Sequence, residues 1–252
     1  MDTPMTQQII LVTGASSGIG RAVCRELAGQ GASIVLLARS EAGMRETMSA
    51  MPAERCLPLR ADLRDLAGLP AVVDQAWNWR GRIDGCVYCA GVAGRARLRD
   101  TSPEFMAERM QVNCLAFVEL MRLLVKHKKK AQPLRVVTLS SLAALGRDRY
   151  LSAYAASKAA MEAAAKTLAV ELLPRAVTIN IIRPAFVNTP MIASVTDPMG
   201  EGDFVERLEE SGYQPMGVIE PEEVAHMAAY LMGPGAAHIS GATFSINAGA
   251  AC

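Results

Sequence analysis

The chain has 252 residues, 51% of them apolar and 20% charged, with 26 basic and 25 acidic side chains and a formal net charge of +1. This length and composition suit one large α/β domain and exclude a chain whose main state is disordered. A near-zero net charge provides no global field for nucleic acid or an anionic membrane, and neither is expected as a partner.

The first apolar run, Ile9–Thr13, reads as a strand and ends in a glycine-rich turn. Residues 20–30 then have helical spacing, with Ala22, Val23, Leu27 and Ala28 on one side and Gly31 as the stop. Strands are expected at Ser33–Ala38, 56–61, 83–90, 135–140, 177–183 and 242–247. Helices are expected at 41–51, 66–79, 103–129, 152–173 and Pro221–Met232. Continuous apolar strands mark a sheet buried on both faces, and alternation with helices implies right-handed parallel crossovers. The expected fold is a single Rossmann-type domain over 1–252, a doubly wound parallel sheet of about seven strands flanked by helices. The stretch 187–217 is rich in proline and glycine around a short helical piece at 203–210 and reads as a substrate lid.

No basic segment precedes the short apolar run at Ile9, and charged residues or glycine break the longer ones. Neither a secretory leader nor a membrane span is expected. The basic run 126–130 reads as a solvated helix end. Six scattered cysteines suggest buried thiols in a reducing, cytoplasmic setting. Cys86 and Cys89 form a C-x-x-C, but in a strand they point to opposite faces, and no second pair completes a metal site.

The turn Thr13-Gly14-Ala15-Ser16-Ser17-Gly18-Ile19-Gly20 joins the first strand to the first helix, where backbone N–H groups can meet a pyrophosphate. After the second strand, Ala38 stands where an acidic residue would bind a ribose 2′-hydroxyl, and Arg39 follows. A guanidinium with no adjacent carboxylate favours a 2′-phosphate, hence NADP(H). Asp62 and Leu63 end the third strand, where a carboxylate could meet the adenine amino group.

Tyr154 and Lys158 lie four apart on one helix face, where an ammonium can ease ionisation of a phenol that titrates near about 10. Ser141 ends the fifth strand, and the loop after it can bring its hydroxyl to Tyr154 to orient a substrate oxygen. Asn113, in a helix interior, suggests a polar or water-linked role.

These residues, with Cys89-Ala90-Gly91 and Pro184-x-x-x-Asn188-Thr189, resemble the short-chain dehydrogenase/reductases in order and over essentially the whole chain. The resemblance implies an NAD(P)-dependent carbonyl/alcohol oxidoreductase, with 3-oxoacyl-carrier-protein reductases among the nearest types. It implies that Asn113 supports a proton-relay water, Ser141 orients substrate, Tyr154 is the acid and base, and Lys158 binds the nicotinamide ribose. It also implies that Val187 and Thr189 contact the nicotinamide amide, and that the chain pairs into dimers or tetramers through the helices holding Asn113 and Tyr154. Three positions depart from the pattern: Cys89 for an asparagine, Ala185 for a glycine, and Asn247-Ala248 before Gly249. Apolar lid residues (Met191, Ile192, Val195, Met199, Phe204) suit an apolar or acyl substrate, and Arg147 and Arg149 could meet an anionic group. The rival expectations are a catalytically silent NADP-binding sensor or partner module on the same fold, and a sugar-nucleotide epimerase or dehydratase, for which the chain is short.

Overall fold

The computed structural model describes residues 5–146, 148–193 and 212–250. Seven parallel strands form one sheet, β1 (Ile9–Thr13), β2 (Ser33–Ala38), β3 (Cys56–Arg60), β4 (Gly85–Tyr88), β5 (Leu134–Leu139), β6 (Val177–Pro184) and β7 (Thr243–Ile246). Their order is β3-β2-β1-β4-β5-β6-β7. The chain therefore runs outward from β1 to one edge, returns to the middle, and runs outward to the other. β1 pairs on one side with β2, Thr13 opposite Leu37, and on the other with β4, Thr13 opposite Tyr88. Their connections leave in opposite directions, which opens a crevice at this edge of the sheet.

The flanking helices are α1 (Gly18–Gly29), α2 (Glu41–Met48), α3 (Leu69–Arg80), α4 (Pro103–Met110), α5 (Ala116–His127), α6 (Ser152–Leu172), the short α7 (Pro190–Ala193) and α8 (Pro221–Met232). Strand side chains alternate between the two faces, so one run of apolar residues feeds two cores. Leu11, Val35, Val136 and Ile179 pack with Phe117 and Leu120 of α5 and Met161 of α6. Ile10, Ile34, Val87 and Ile182 pack with Leu27 of α1 and Ala228 of α8. Cys86 belongs to the first core and Cys89 packs against the second, so the C-x-x-C thiols stand on opposite faces, and the described cysteines are free.

Two expectations are corrected. The helix expected over 103–129 is broken. Between α4 and α5, residues Gln111–Leu115 wind into a wider π turn. The fully buried Tyr88 donates from its hydroxyl to the Val112 carbonyl at 2.5 Å, and a side-chain donor entering the helical ladder is a known cause of such a break. The basic run is not solvated throughout, because α5 stops at His127 and Lys128 turns inward. Its buried ammonium donates to the carbonyls of Lys129, Lys130 and Arg175, joining this helix end to the chain entering β6.

Tyr88→Phe removes the donor to Val112 while keeping the edge-on ring contact with Phe117, at 5.5 Å between centroids. A buried carbonyl left without its partner costs about 1–3 kcal/mol. The midpoint of urea unfolding should fall accordingly with an unchanged slope.

Candidate functional site

Where β1 and β4 part, a cavity of about 550 Å³ opens along the ends of β1, β2 and β4. Gly14, Ser16, Ser17, Gly18, Ile19, Gly20, Arg39, Asp62, Leu63, Cys89, Ala90, Gly91 and Thr189 all line it. Two of its glycines are required sterically. Gly14 has φ +67°, and a Cβ at Gly20 would lie 2.2 Å from the Gly14 carbonyl oxygen. The turn is held from behind: the Thr47 hydroxyl donates to the Ala15 carbonyl at 2.8 Å and Arg21 donates to the Ser16 carbonyl at 2.7 Å. On the cavity side, the N-terminus of α1 has no side-chain cap from Ser17 and no acidic residue in its first turn. N–H groups without helical partners, a positive helix end and a turn packed too closely for side chains at Gly14 and Gly20 fit a dinucleotide pyrophosphate.

At the far end of the cavity, Arg39 is exposed beside Ala38. Asp62 shares this wall, but its carboxylate also accepts from the backbone and guanidinium of Arg64, the closest contact being 2.6 Å. These hydrogen bonds hold its carboxyl below the usual range. Arg64 was not expected here; it reaches Asp62 from only two residues away, across the turn that follows β3. Cys89 replaces a carboxamide, yet the junction of β1 and β4 remains tied, because the Ala90 N–H donates to the Thr13 hydroxyl at 3.1 Å. Burial pushes the Cys89 thiol up to about 12, so it stays neutral.

The four expected catalytic residues converge at this sheet edge. Ser141 follows β5, Tyr154 and Lys158 stand on α6, and Asn113 sits in the π turn. Tyr154 is half-buried and hydrogen-bonds with Ser141. Burial raises its phenol above the usual value, while the Ser141 hydrogen bond works the other way. Of these two influences burial is the larger, and the Lys158 ammonium is not among them. The Lys158 ammonium lies 5.9 Å from the Tyr154 ring centroid and donates to the Leu139 carbonyl at 2.7 Å. It stands 3.3 Å from where a Cβ on Gly91, one of the residues lining the cavity, would be. The Asn113 carboxamide grips the Val92 backbone on both sides, at 2.8 and 3.0 Å, and donates to the Ser157 hydroxyl at 2.8 Å. It thereby fastens the segment following β4 to α6. Three further residues that the sequence did not single out form a hydrogen-bonded cluster: the buried Ser140 and Glu162, and the half-buried Arg183.

A smaller cavity of about 120 Å³ adjoins the first. Ser141 and Tyr154 lie on it, as do Pro184, Val187 and Thr189 from the stretch after β6. Its walls are largely apolar, with Leu142, Leu151, Phe186 and Ile192, and its charged members are Arg95 and Asp148. Arg147, Val195, Met199, Phe204 and the helical piece 203–210 lie outside the described residues. The ends of the expected lid are pinned together. Val187 pairs with Ile219, and the buried Gln214 bonds with both backbone groups of Phe186 at 3.0 Å. Among the described residues there is no cluster able to hold a metal ion, and no helix long and apolar enough to cross a membrane.

Residues 14–251 match the family described as enoyl-(acyl carrier protein) reductase. Oxidoreductase UcpA of Salmonella typhimurium is 31% identical over 250 residues, covering 97% of this chain and 95% of that protein. The crystal structure of 3-ketoacyl-(acyl-carrier-protein) reductase from Brucella melitensis complexed with NADH superposes with a TM-score of 0.89 at 26% identity, covering 98% and 99% of the two chains. A phenylalanine-to-tryptophan variant of actinorhodin polyketide ketoreductase with NADPH superposes with a TM-score of 0.90 at 28% identity, covering 99% and 98%.

Burial pushes the Lys158 ammonium down from its usual value of 10.5 to about 8, against the pull of Cys89 and Glu162. In carbon-13 spectra of lysine-labelled protein, Lys158 should titrate near this value. The folded state binds this proton less tightly than the unfolded chain does. Lys158 therefore destabilises the fold below about 8, and that cost is relieved as pH rises towards 10.5.

Proposed function

Since the chain belongs to the short-chain dehydrogenase/reductase family of oxidoreductases, we propose that it interconverts a ketone and a secondary alcohol with NADP(H), Tyr154 acting as acid and base. The observation that carries this reading is the meeting of the Ser141 hydroxyl and the Tyr154 phenol on the wall of a small apolar cavity beside the dinucleotide-shaped one. The nicotinamide, when bound, supplies the hydride donor or acceptor for the substrate carbon. Ser141 holds the substrate oxygen. Tyr154, kept protonated at neutral pH by burial, delivers the proton that a carbonyl oxygen needs as it becomes an alcohol. In the reverse direction it takes that proton back.

Lys158 serves as the ribose-binding cation, and Asn113 fixes the Val92 segment and supports a relay water that brings Tyr154 a proton from solvent during reduction and carries it away in the reverse direction. At the adenosine end, Arg39 grips a 2′-phosphate and Asp62 meets the adenine amino group, while Val187 and Thr189 contact the nicotinamide amide. The preference for NADP(H) rests on Ala38 and Arg39, because the relatives' structures hold either cofactor. The substrate is a 3-oxoacyl thioester or another ketone with an apolar body. The wall of Leu142, Leu151, Phe186 and Ile192 supports this choice, as do the ketoacyl-reducing relatives. The segment 187–217 is the substrate lid in this reading, and its described ends are pinned beside the cavity by the Val187–Ile219 and Gln214–Phe186 contacts. Exposed Leu115 and Val118 near the start of α5, with Val170 and Leu173 at the end of α6, support pairing through these helices into a dimer or tetramer. The free thiols suit a reducing, cytoplasmic setting. A silent sensor is not favoured, since it has no use for the Ser141–Tyr154 pair.

Tyr154→Phe should lower kcat for NADPH-dependent reduction of a 3-oxoacyl thioester by about 100- to 10,000-fold while leaving NADPH affinity unchanged. An enoyl thioester run in parallel should turn over poorly, because its reduction does not end in a proton on oxygen. Efficient enoyl turnover would redirect the reading to C=C reduction.

Arg39→Asp should weaken NADPH by at least tenfold, since a hydrogen bond to a charged group contributes about 1.5–3 kcal/mol. NADH affinity should hardly change. Paired fluorescence titrations check this, and equal losses for both cofactors would remove Arg39 as the phosphate grip.

A further inference from the structure

Glu162 stands one helical turn beyond Lys158 and two beyond Tyr154 on α6, and is only 6% exposed. Its Oε1 accepts from the Ser140 hydroxyl at 2.6 Å and from Arg183 Nε at 2.9 Å, and its Oε2 accepts from Arg183 Nη2 at 2.6 Å. Both partners sit next to site residues. Ser140 lies between Leu139, whose carbonyl receives the Lys158 ammonium, and Ser141. Arg183 immediately precedes Pro184, and the Ser140 N–H donates to the Ile182 carbonyl at 2.8 Å. One carboxylate therefore ties the helix carrying Tyr154 and Lys158 to the ends of both strands that carry Ser141 and Pro184.

The pair is expensive as a mere stabiliser. Burying a carboxylate and a guanidinium removes hydration that their attraction only partly replaces, and apolar residues of similar volume often do as well. Burial works to raise the Glu162 pKa, but hydrogen bonds from Arg183 and Ser140 hold it below its usual value, so the group remains a carboxylate. The titratable groups facing Lys158 are Cys89 at the end of β4, and Tyr154 and Glu162 on α6. Glu162 in turn faces Arg183 on β6 and Lys166 on its own helix. The Cys89 thiol and the Tyr154 phenol are neutral at working pH, so Glu162 supplies the negative charge on the ammonium's side of the helix.

We infer that Glu162 is a positioning residue for the reaction: its carboxylate anchors the Lys158 ammonium electrostatically and locks the Ser141 strand end against the catalytic helix. This rests on the oxidoreductase reading above, and the test separates the two.

The test compares wild type, Glu162→Gln and the double variant E162M/R183M. The double variant replaces the pair by apolar volume and guards against misfolding caused by an orphaned Arg183. In each, the Lys158 titration is followed by carbon-13 NMR and NADPH affinity by fluorescence, both as a function of pH. In Glu162→Gln, loss of the facing charge should move the Lys158 midpoint, and with it the alkaline fall in NADPH affinity, to lower pH by about one unit, and in the double variant by less, because the Arg183 cation leaves with it. At neutral pH kcat should drop about tenfold with KM for the ketone nearly unchanged, and E162D should restore the titration more than the rate. A midpoint and an alkaline limb unmoved in both variants would overturn the proposal and leave a structural tie only. If wild type binds no NADPH and reduces no ketone, the functional reading falls, but the NMR midpoint still decides whether Glu162 governs Lys158.

Discussion

A sheet whose strands all run the same way must return every connection across one of its faces, so all strand ends that lead into helices lie along one edge. The rest of this molecule depends on that constraint. At the middle of the edge, β1 and β4 are neighbours whose chains depart in opposite directions, and the gap between them becomes the larger cavity. The glycine turn after β1, the Cys89–Gly91 stretch after β4, Ser141 after β5 and Pro184 at the end of β6 are brought to it by register alone. No loop has to reach far.

Burial is the second organising force, and at the site it acts against charge. It raises the Tyr154 phenol and the Cys89 thiol and depresses the Lys158 ammonium. The neutral phenol suits a proton donor, and the neutral thiol can occupy a carboxamide's place without adding charge. An ammonium depressed by burial is less well matched to holding a ligand, and its supporting interactions come from the Leu139 carbonyl and from Glu162. Positioning follows the same economy. Asn113 spends its donors and an acceptor on Val92 and Ser157, and Gln214 closes the stem of the segment after β6. Irregular backbone beside a cavity needs such partners, since its polar groups have no ladder to join.

Most of the strands could be read to within a residue or two because both faces are buried, which leaves uninterrupted apolar runs such as Ser33–Ala38. β4 is shorter than the apolar run suggests, since Ala90 leaves the ladder to bond with Thr13. The break between α4 and α5 was not legible. Helical periodicity continues through Gln111–Leu115, and the cause is a tyrosine hydroxyl from a distant strand. The inward turn of Lys128 was hidden for a similar reason, as a lysine in a basic run gives no sign that backbone carbonyls from two segments converge on it. Arg95 on the smaller cavity likewise has no local pattern to mark it.

The amino-acid sequence by itself determined the fold class, the glycine turn, the meeting of Ser141, Tyr154 and Lys158, and the family. The first three follow from periodicity, from the conformations open only to glycine, and from spacings along the chain, all of which are local, and the family from the resemblance that these motifs carry in their order. The tertiary structure alone decided the electrostatic state of the site. Whether an ammonium is depressed, a carboxylate stays ionised or an asparagine has a free amide depends on which groups from other strands and helices lie within a few ångströms. For Lys158 those groups come from β4 and β5 as well as its own helix, and for Glu162 from the ends of β5 and β6.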